Sequence, residues 1–322
     1  MRARILFAVL ILLAPAPAQG EFAERPQGPV RADSLYALDG GHLSFPPRSG
    51  KLLASSELQI RISGSLANTS IIRDQYRVDT ESRSFAVSAA WGIGQDTDME
   101  IELPLRWRGG GVLDPLIDGW HQAFGMPRGR RDRVGDNEYD VSGYLDDGSE
   151  FDFADQGSVL GNPRFGVQHA LWQGDNGGAT LHGEVSIPGQ TSSQTHTGID
   201  GLLGASIWRN WSDLTGYAGL AVGAIGDRDL YGVEYKPLFV EGYAALEYPV
   251  LRKLRLSVAF WVGSSKISNV QDHPESFGTL DVGAKLPGAG GVFEFLVREN
   301  PWPQEGSPDV AFTLGWSFQP RS

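Results

Sequence analysis

Three groups of residues have the types and spacing to do chemistry. Asp114, Asp118 and His121 lie at helical spacing along VLDPLIDGWHQAF, where carboxylates and an imidazole on one stripe could share a metal ion or narrow a pore. Such a stripe is more commonly the wet side of an amphipathic helix, and here Val112, Leu113, Leu116, Ile117, Trp120, Ala123 and Phe124 form its apolar side. His169 is the one ionisable group on a face shared with Phe165, Val167 and Leu171, which raises lipid hydrolysis as a possibility. A nucleophile must lie within hydrogen-bond reach of its base. The outward positions of the neighbouring strands offer Met99, Ala179 and Leu181 without a serine, so no catalytic residue is assigned and the chain reads as a non-enzyme.

The third group is the largest. Arg61, Glu100, Glu102, Arg106, Arg164, His182, Glu184, Glu241, Glu247, Arg255, Asp281, Lys285, Glu294 and Arg298 recur on one parity of strand-like segments whose other parity is apolar. They number seven acidic and six basic groups besides His182, and so nearly cancel. A pore that selects ions by a ring of one sign would look different. Interlocking ion pairs that fill a narrow barrel fit this balance better.

These positions require strands. In TDMEIELPLRWR, Met99, Ile101, Leu103, Leu105 and Trp107 alternate with Asp98, Glu100, Glu102, Pro104 and Arg106, the period of a half-buried strand. The pattern recurs at about Leu52–Leu66, Gln75–Ile93, Thr97–Arg108, Val159–Trp172, Ala179–Pro188, Gly201–Trp211, Leu214–Ile225, Leu238–Tyr248, Lys253–Val262, Phe277–Leu286, Val292–Glu299 and Asp309–Phe318. Short turns at Gly94–Asp96, Gln173–Gly178, Ser212–Asp213, Pro249–Arg252 and Pro287–Gly291 alternate with longer polar loops at Ala67–Asp74, Gly109–Ser158, Gly189–Asp200, Gly226–Pro237, Gly263–Ser276 and Asn300–Pro308. A soluble sandwich has no reason to sort its loops by length; an outer-membrane barrel with both termini in the periplasm does.

Parity alone leaves open whether the apolar face points inward or outward. Sets such as Leu254, Leu256, Val258, Phe260, Val262 and Val310, Phe312, Leu314, Trp316, Phe318 are assigned to lipid because of the loops and the aromatic residues. Trp91, Trp172, Trp211, Tyr248 and Trp316 fall near the short-turn ends, where an interfacial girdle belongs. The expected fold is all-β: a 12-stranded antiparallel up-and-down transmembrane β-barrel with one amphipathic helix in a long extracellular loop. Two irregularities are expected, a β-bulge around Glu81–Ser84, where the outward parity changes, and a break at Pro104.

Composition and the N-terminus set the compartment. Arg2 and Arg4, the apolar run Ile5 to Leu13 and Ala16-Pro17-Ala18 have the form of a secretory signal, with residues 1–18 removed. That run is shorter than the ~20 residues of a membrane helix. Residues 19–50, rich in Pro and Gly, form an irregular segment, either a tail or a partial plug, and residues 51–322 the barrel, placed in the cell outer membrane. The chain has no cysteine, hence no lipoprotein attachment or disulfide. Its net charge of −12 argues against nucleic-acid binding. No cofactor or structural metal is expected. Asp146, Asp147, Glu150, Asp152 and Asp155 lack the ligand spacing of an EF-hand and read as a solvated loop. Arg128, Arg130, Arg131 and Arg133 lie where lipopolysaccharide head groups would meet them. The expected partners are outer-membrane lipid, lipopolysaccharide and the barrel-insertion machinery.

The segment WRGGGVLDPLIDGWHQAFGMPRGRR, the later ENPWPQEGSPDVAFTLGWSF and the strand-rich frame between them resemble an uncharacterised proteobacterial family, the domain of unknown function numbered three-one-eight-seven. The resemblance implies the barrel fold over nearly the whole mature chain and carries no activity. Asn162 stands where the family commonly has Asp, and Glu299-Asn300 where it has an acidic pair, so no role passes to those positions. Three functions follow from the residues: passage of a small or amphipathic solute with the loop helix (Asp114, Asp118, Trp120, His121, Phe124, Arg128, Arg131) as constriction or lid; a non-conducting structural or lipid-binding barrel; and, third, a lipid hydrolase.

Overall fold

A computed structural model describes residues 27–112, 115, 119, 138–301 and 306–320. The strands are β1 (Leu58–Ile72), β2 (Tyr76–Gly92), β3 (Thr97–Gly109), β4 (Asp140–Tyr144), β5 (Glu150–Asp152), β6 (Gly157–Leu160), β7 (Arg164–Gly174), β8 (Gly177–Ser186), β9 (Asp200–Trp211), β10 (Leu214–Ala224), β11 (Asp229–Leu230), β12 (Val233–Glu234), β13 (Leu238–Leu251), β14 (Leu254–Ser264), β15 (Ser276–Gly288), β16 (Gly291–Glu299) and β17 (Val310–Phe318). Twelve of them form the wall, each antiparallel to its neighbours, and β1 closes the ring by pairing with β17 from Ile60↔Phe318 to Asn68↔Val310. Closure leaves no free edge, the condition for crossing a bilayer with strands. No described helix is long and apolar enough to cross a membrane.

The period of two decides the faces. Along β13 exposed and buried residues alternate from Leu238 to Glu247, with Val240 and Leu246 outward and Glu241 and Glu247 inward. Leu203, Leu220, Val258, Phe293 and Leu314 continue the outer belt, and Leu314 is 64% exposed. A soluble protein would not spread so large an apolar surface, whereas lipid covers it. Trp172, Trp211 and Tyr248 are exposed at the short-turn ends.

Four local expectations are corrected. The first strand begins at Leu58 instead of Leu52 and runs to Ile72, so the supposed loop Ala67–Asp74 is ladder ending in a tight turn at residues 73–75. Polar residues such as Asn68 and Thr69 resemble a loop in sequence, but both are buried in an extension of the wall. The β2 ladder runs unbroken from Arg77 to Trp91 against β1, so Glu81–Ser84 contains no bulge. Tyr76 and Val78 instead keep inward parity and enter an apolar core formed by the loops. The expected strand Val159–Trp172 is divided: β6 pairs with Leu105–Arg108 and β7 with Thr97–Glu102, and the interruption at residues 161–163 faces Pro104, whose carbonyl accepts from Gly161 N–H at 2.8 Å. Register shifts that the sequence did not signal occur at Ala170/Trp172 and Pro249/Leu251.

Beyond the long-loop end, the β4–β5 and β11–β12 hairpins and residues 265–275 fold over the barrel. Bridges Leu145↔Val270 and Tyr235↔Ile267 join them. Val141, Leu145, Phe151, Phe153, Leu230, Val233, Tyr235, Ile267 and Val270 make this cap apolar inside.

Candidate functional site

The N-terminal segment, residues 27–57, threads the barrel: residues 27–53 are buried or half-buried within it, and Ala54, Ser55 and Ser56 are exposed at the short-turn end. Its ascending limb starts near the short-turn end, where the N–H groups of Gln27 and Gly28 donate to Glu247 at 2.9 and 2.8 Å. Glu247 also accepts from Arg255 Nε and Tyr217 OH, each at 2.5 Å, and Lys285 Nζ donates to the Gln27 carbonyl at 2.9 Å. At mid-height Arg31 bridges Glu100 (2.7 Å) and Glu102 (2.5 Å) of β3. Asp33 accepts from Arg164 of β7 at 2.7 Å, and Arg298 donates to the carbonyls of Ala32 (3.1 Å) and Asp33 (2.9 Å) while held by Asp281. Burial alone would raise the Asp33 carboxyl; the Arg164 and Arg31 guanidiniums outweigh it and hold the group well below the usual carboxylate range.

The chain reverses at a single 3-10 turn, Ala37–Asp39, followed by Gly40 (φ 56°) and Gly41 (φ 79°). Left-handed backbone favours glycine at both. A β-carbon at Gly41 would also meet the Gln194 carbonyl at 2.7 Å. Arg108 donates to Ala37 O and Tyr235 OH to Leu38 O, both at 2.8 Å, and Tyr36 OH lies 3.2 Å from His273 Nε2. Burial pushes His273 down to about 4, against the opposing pull of the Pro274 carbonyl, so it sits neutral between Tyr36 and Tyr76. Tyr36 and Leu38 join the apolar core of the cap.

The descending limb returns through His42, whose Nδ1 lies 2.8 Å from Asp200. Next come Phe45, whose N–H donates to Glu241 at 2.5 Å, Arg48 near Glu184 (3.7 Å), and Leu53, whose N–H donates to Asp98 at 2.8 Å. Phe45 is fully buried, packed edge-on against the His182 ring. The space left beside Arg31, Asp33, Arg61 and Glu102 is about 20 Å³, roughly one water.

Each wall residue singled out in the sequence can therefore be placed. Arg61 pairs with Glu294 (2.8 Å), Lys285 with Glu294 (3.4 Å), Arg255 with Glu247, Arg298 with Asp281 and Arg164 with Glu102 (3.3 Å). His182 lies 2.7 Å from Ser206 Oγ. Arg106 reaches inward beside Gly41. The wall charges thus do more than pair with one another: Glu100, Glu102, Arg164, Glu184, Glu241, Glu247, Lys285 and Arg298 also hold the inserted segment. The partners Arg31, Asp33 and Arg48 escaped sequence reasoning because their segment has no period; an Arg and an Asp two residues apart in a Pro- and Gly-rich stretch was the available signal.

Elsewhere the expected sites separate. His169 is exposed outward, and Thr97 Oγ1 lies 3.0 Å from its Nδ1, a hydroxyl the sequence reading overlooked because it sought serine. Asp155 accepts from the Ser193 N–H (3.0 Å) and Tyr231 OH (3.1 Å), tying its loop to the cap. The expected loop helix, with Asp114, Asp118, Trp120, His121, Phe124, Arg128 and Arg131, lies outside the described residues.

The family profile described as "Protein of unknown function (DUF3187)" matches residues 5–319. The chain belongs to that family. No curated protein matches this DUF3187 member. Among solved structures it is similar to an outer-membrane channel from Pseudomonas putida F1, at 11% identity and a TM-score of 0.58, covering 86% of this chain and all of the other. It is also similar to the NanC porin (8% identity, TM-score 0.48, 81% of this chain, 98% of the other) and to the toluene transporter TbuX of Ralstonia pickettii (10%, 0.42, 84% and 91%). At these identities the likeness is one of fold, and the DUF3187 chain is an outer-membrane β-barrel.

Proposed function

We propose that the protein is an outer-membrane channel or transporter for a small or amphipathic solute, seen here closed, with residues 27–57 as its stopper. One observation carries this reading: besides pairing with one another, several of the wall's inward charges bind a separate length of chain, through Arg31, Asp33 and Arg48 and through backbone groups. A wall built only to be solid could carry apolar side chains inward, since replacing buried ion pairs by well-packed apolar groups is often neutral or stabilising. A charged wall and a charged stopper leave a polar passage once they part. The residues that would line it are those named above, from Arg61 to Arg298.

Single-channel recording in planar bilayers tests this. The full chain is expected to be mostly closed, and a variant lacking residues 27–50 to conduct steadily. A deletion variant that folds and inserts yet never conducts would remove the reading. The apolar cap over Tyr36 and Leu38 favours a second reading, a non-conducting barrel with a permanent core, which predicts that silent outcome.

The protein is read as a non-enzyme. Thr97 and His169 form a pair to which no described side chain adds an orienting carboxylate, and a triad needs its base held by a third group. On the outer wall a depression of about 490 Å³, bordered by Ile207, Trp211, Ala218, Ala244, Leu246 and Phe260, gives lipid chains a place to pack.

A further inference from the structure

His42, His196 and Asp200 meet where the stopper crosses the wall at its long-loop end, and closing the lumen does not require their particular chemistry. His42 belongs to the stopper, His196 to the loop after β8, and Asp200 opens β9. One ligand atom of each lies within 4.8 Å of the other two. Asp200 Oδ2 is 2.8 Å from His42 Nδ1 and 3.3 Å from His196 Nε2. In a tetrahedral site with metal–nitrogen and metal–oxygen bonds of ~2.0–2.1 Å, neighbouring ligand atoms stand ~3.3 Å apart. The two edges at Asp200 are at or just below this spacing, and all three ligand atoms lie within 4.8 Å of one another.

The surroundings of the three side chains bear on what they could hold. His196 Nδ1 lies 2.8 Å from the Gly198 carbonyl, and a proton donated there leaves Nε2 a lone pair facing the carboxylate. This is the carbonyl contact that fixes the tautomer of metal-binding histidines. The two imidazoles stack with centroids 4.9 Å apart and planes 9° apart, so a shared cation requires one ring to turn toward the other's lone pair. The His42 side chain is only 1% exposed, so the cluster is shielded from water. The carboxylate is anchored from behind by the N–H groups of Gly226 (3.1 Å, on Oδ1) and Leu43 (3.3 Å, on Oδ2). Ser186 Oγ, 2.9 Å from His196 Nε2, places an oxygen beside the fourth position. Of the nearby cations, Lys266 is matched by Glu241 (3.1 Å) and Asp39 (3.7 Å).

We infer that His42, His196 and Asp200 form a binding site for one divalent first-row transition cation, zinc-like in its nitrogen and oxygen preference, which clamps the stopper to the wall. Imidazole and carboxylate together suit such ions better than calcium or magnesium, which take oxygen alone. On binding, neutral His42 offers its Nδ1 lone pair to the cation, with its single ring proton on Nε2. The site stands whether or not the barrel conducts.

The test uses the untagged full chain in detergent, stripped with chelator and titrated with Co2+ followed by visible absorption, then with Zn2+ as competitor. One equivalent per chain, with the strong bands of four-coordinate Co2+, is expected. His42→Ala, which alters the stopper and leaves the wall intact, should weaken binding at least tenfold while keeping the heat-modifiable migration of a folded barrel. X-ray absorption at the zinc edge of the wild-type protein should show two imidazoles, which keeps the test decisive if that variant fails to fold. No uptake, an oxygen-only shell, or unchanged affinity in folded His42→Ala would overturn the site.

Discussion

Asp33 of the inserted segment and Arg164 of the wall are joined at 2.7 Å, and the same Arg164 Nη1 lies 3.3 Å from Glu102 directly across the β3–β7 ladder. One guanidinium thus serves a wall carboxylate and a stopper carboxylate at once. With Arg31 reaching back to Glu102 and Glu100, two guanidiniums and three carboxylates form one linked network at mid-lumen.

Breaking a buried ion pair by removing one partner costs ~3–5 kcal/mol, because the other charge is left unmatched. Asp33→Asn leaves Arg164 with Glu102 alone, so the stopper should dock more weakly while the wall ladder persists. Trypsin should then cut at Arg31 or Arg48 faster than in the wild type, with the heat-modifiable barrel unchanged. The Asp33 carboxyl is held below its ordinary range, so its contribution is complete above the unfolded value and is lost as pH falls through the lowered one. Wild-type docking should accordingly weaken toward strongly acidic pH, and Asp33→Asn should lack that component.

His273 gives a second pH dependence in a milder range. Its folded value, about 4, lies below the ordinary 6.5, so the unfolded chain binds more protons between those values. Stability is therefore complete above pH ~6.5 and declines down to about 4, by up to ~1.4 kcal/mol per pH unit for this group. His273→Gln should reduce the pH slope of urea unfolding across that window. An identical slope would show that the ring between Tyr36 and Tyr76 does not govern the cap.

Phe45 is fully buried, and a β-carbon on Gly204 or Gly219 of the wall would come within 2.9 Å of its ring. The two glycines form the recess that receives it. Phe45→Ala should cost the stopper ~3–5 kcal/mol of docking. Gly219→Ala should weaken docking by overpacking, ~1–3 kcal/mol, with the recess filled. Accelerated proteolysis of residues 27–57 in both variants is the readout.

Leu314, 64% exposed at the centre of β17, measures the lipid belt. Leu314→Arg should destabilise the protein by ~2–4 kcal/mol in vesicles. The same exposure in a soluble protein would make the change nearly neutral. Urea unfolding from lipid vesicles distinguishes the two.

Most of the wall was legible because a period of two survives in strands such as β3 and β13: Met99 to Trp107 could belong only to a ladder with two faces, and the loops and aromatics assigned those faces. Residues 27–57 were not, since their conformation is imposed by Glu100, Arg164, Glu241 and Arg298 on distant strands and by no local period. Ile71, Tyr76 and Val78 misled for a related reason: above the membrane, inward-facing residues meet an apolar cap instead of a polar lumen, so hydropathy reverses while parity does not. His42 and Asp200, 158 positions apart, could be joined only by the fold.

A redox tether tests the stopper most directly. A β-carbon added at Gly283 of β15 would lie 3.4 Å from Val30 Cβ in the ascending limb, close to the ~3.5–4.5 Å span of a disulfide, and the chain has no other cysteine to compete. In single-channel recordings of Val30→Cys/Gly283→Cys, openings should appear under reducing conditions and vanish on oxidation, reversibly in the same molecule. Openings equal in number and size before and after confirmed cross-linking would contradict a passage closed by residues 27–57.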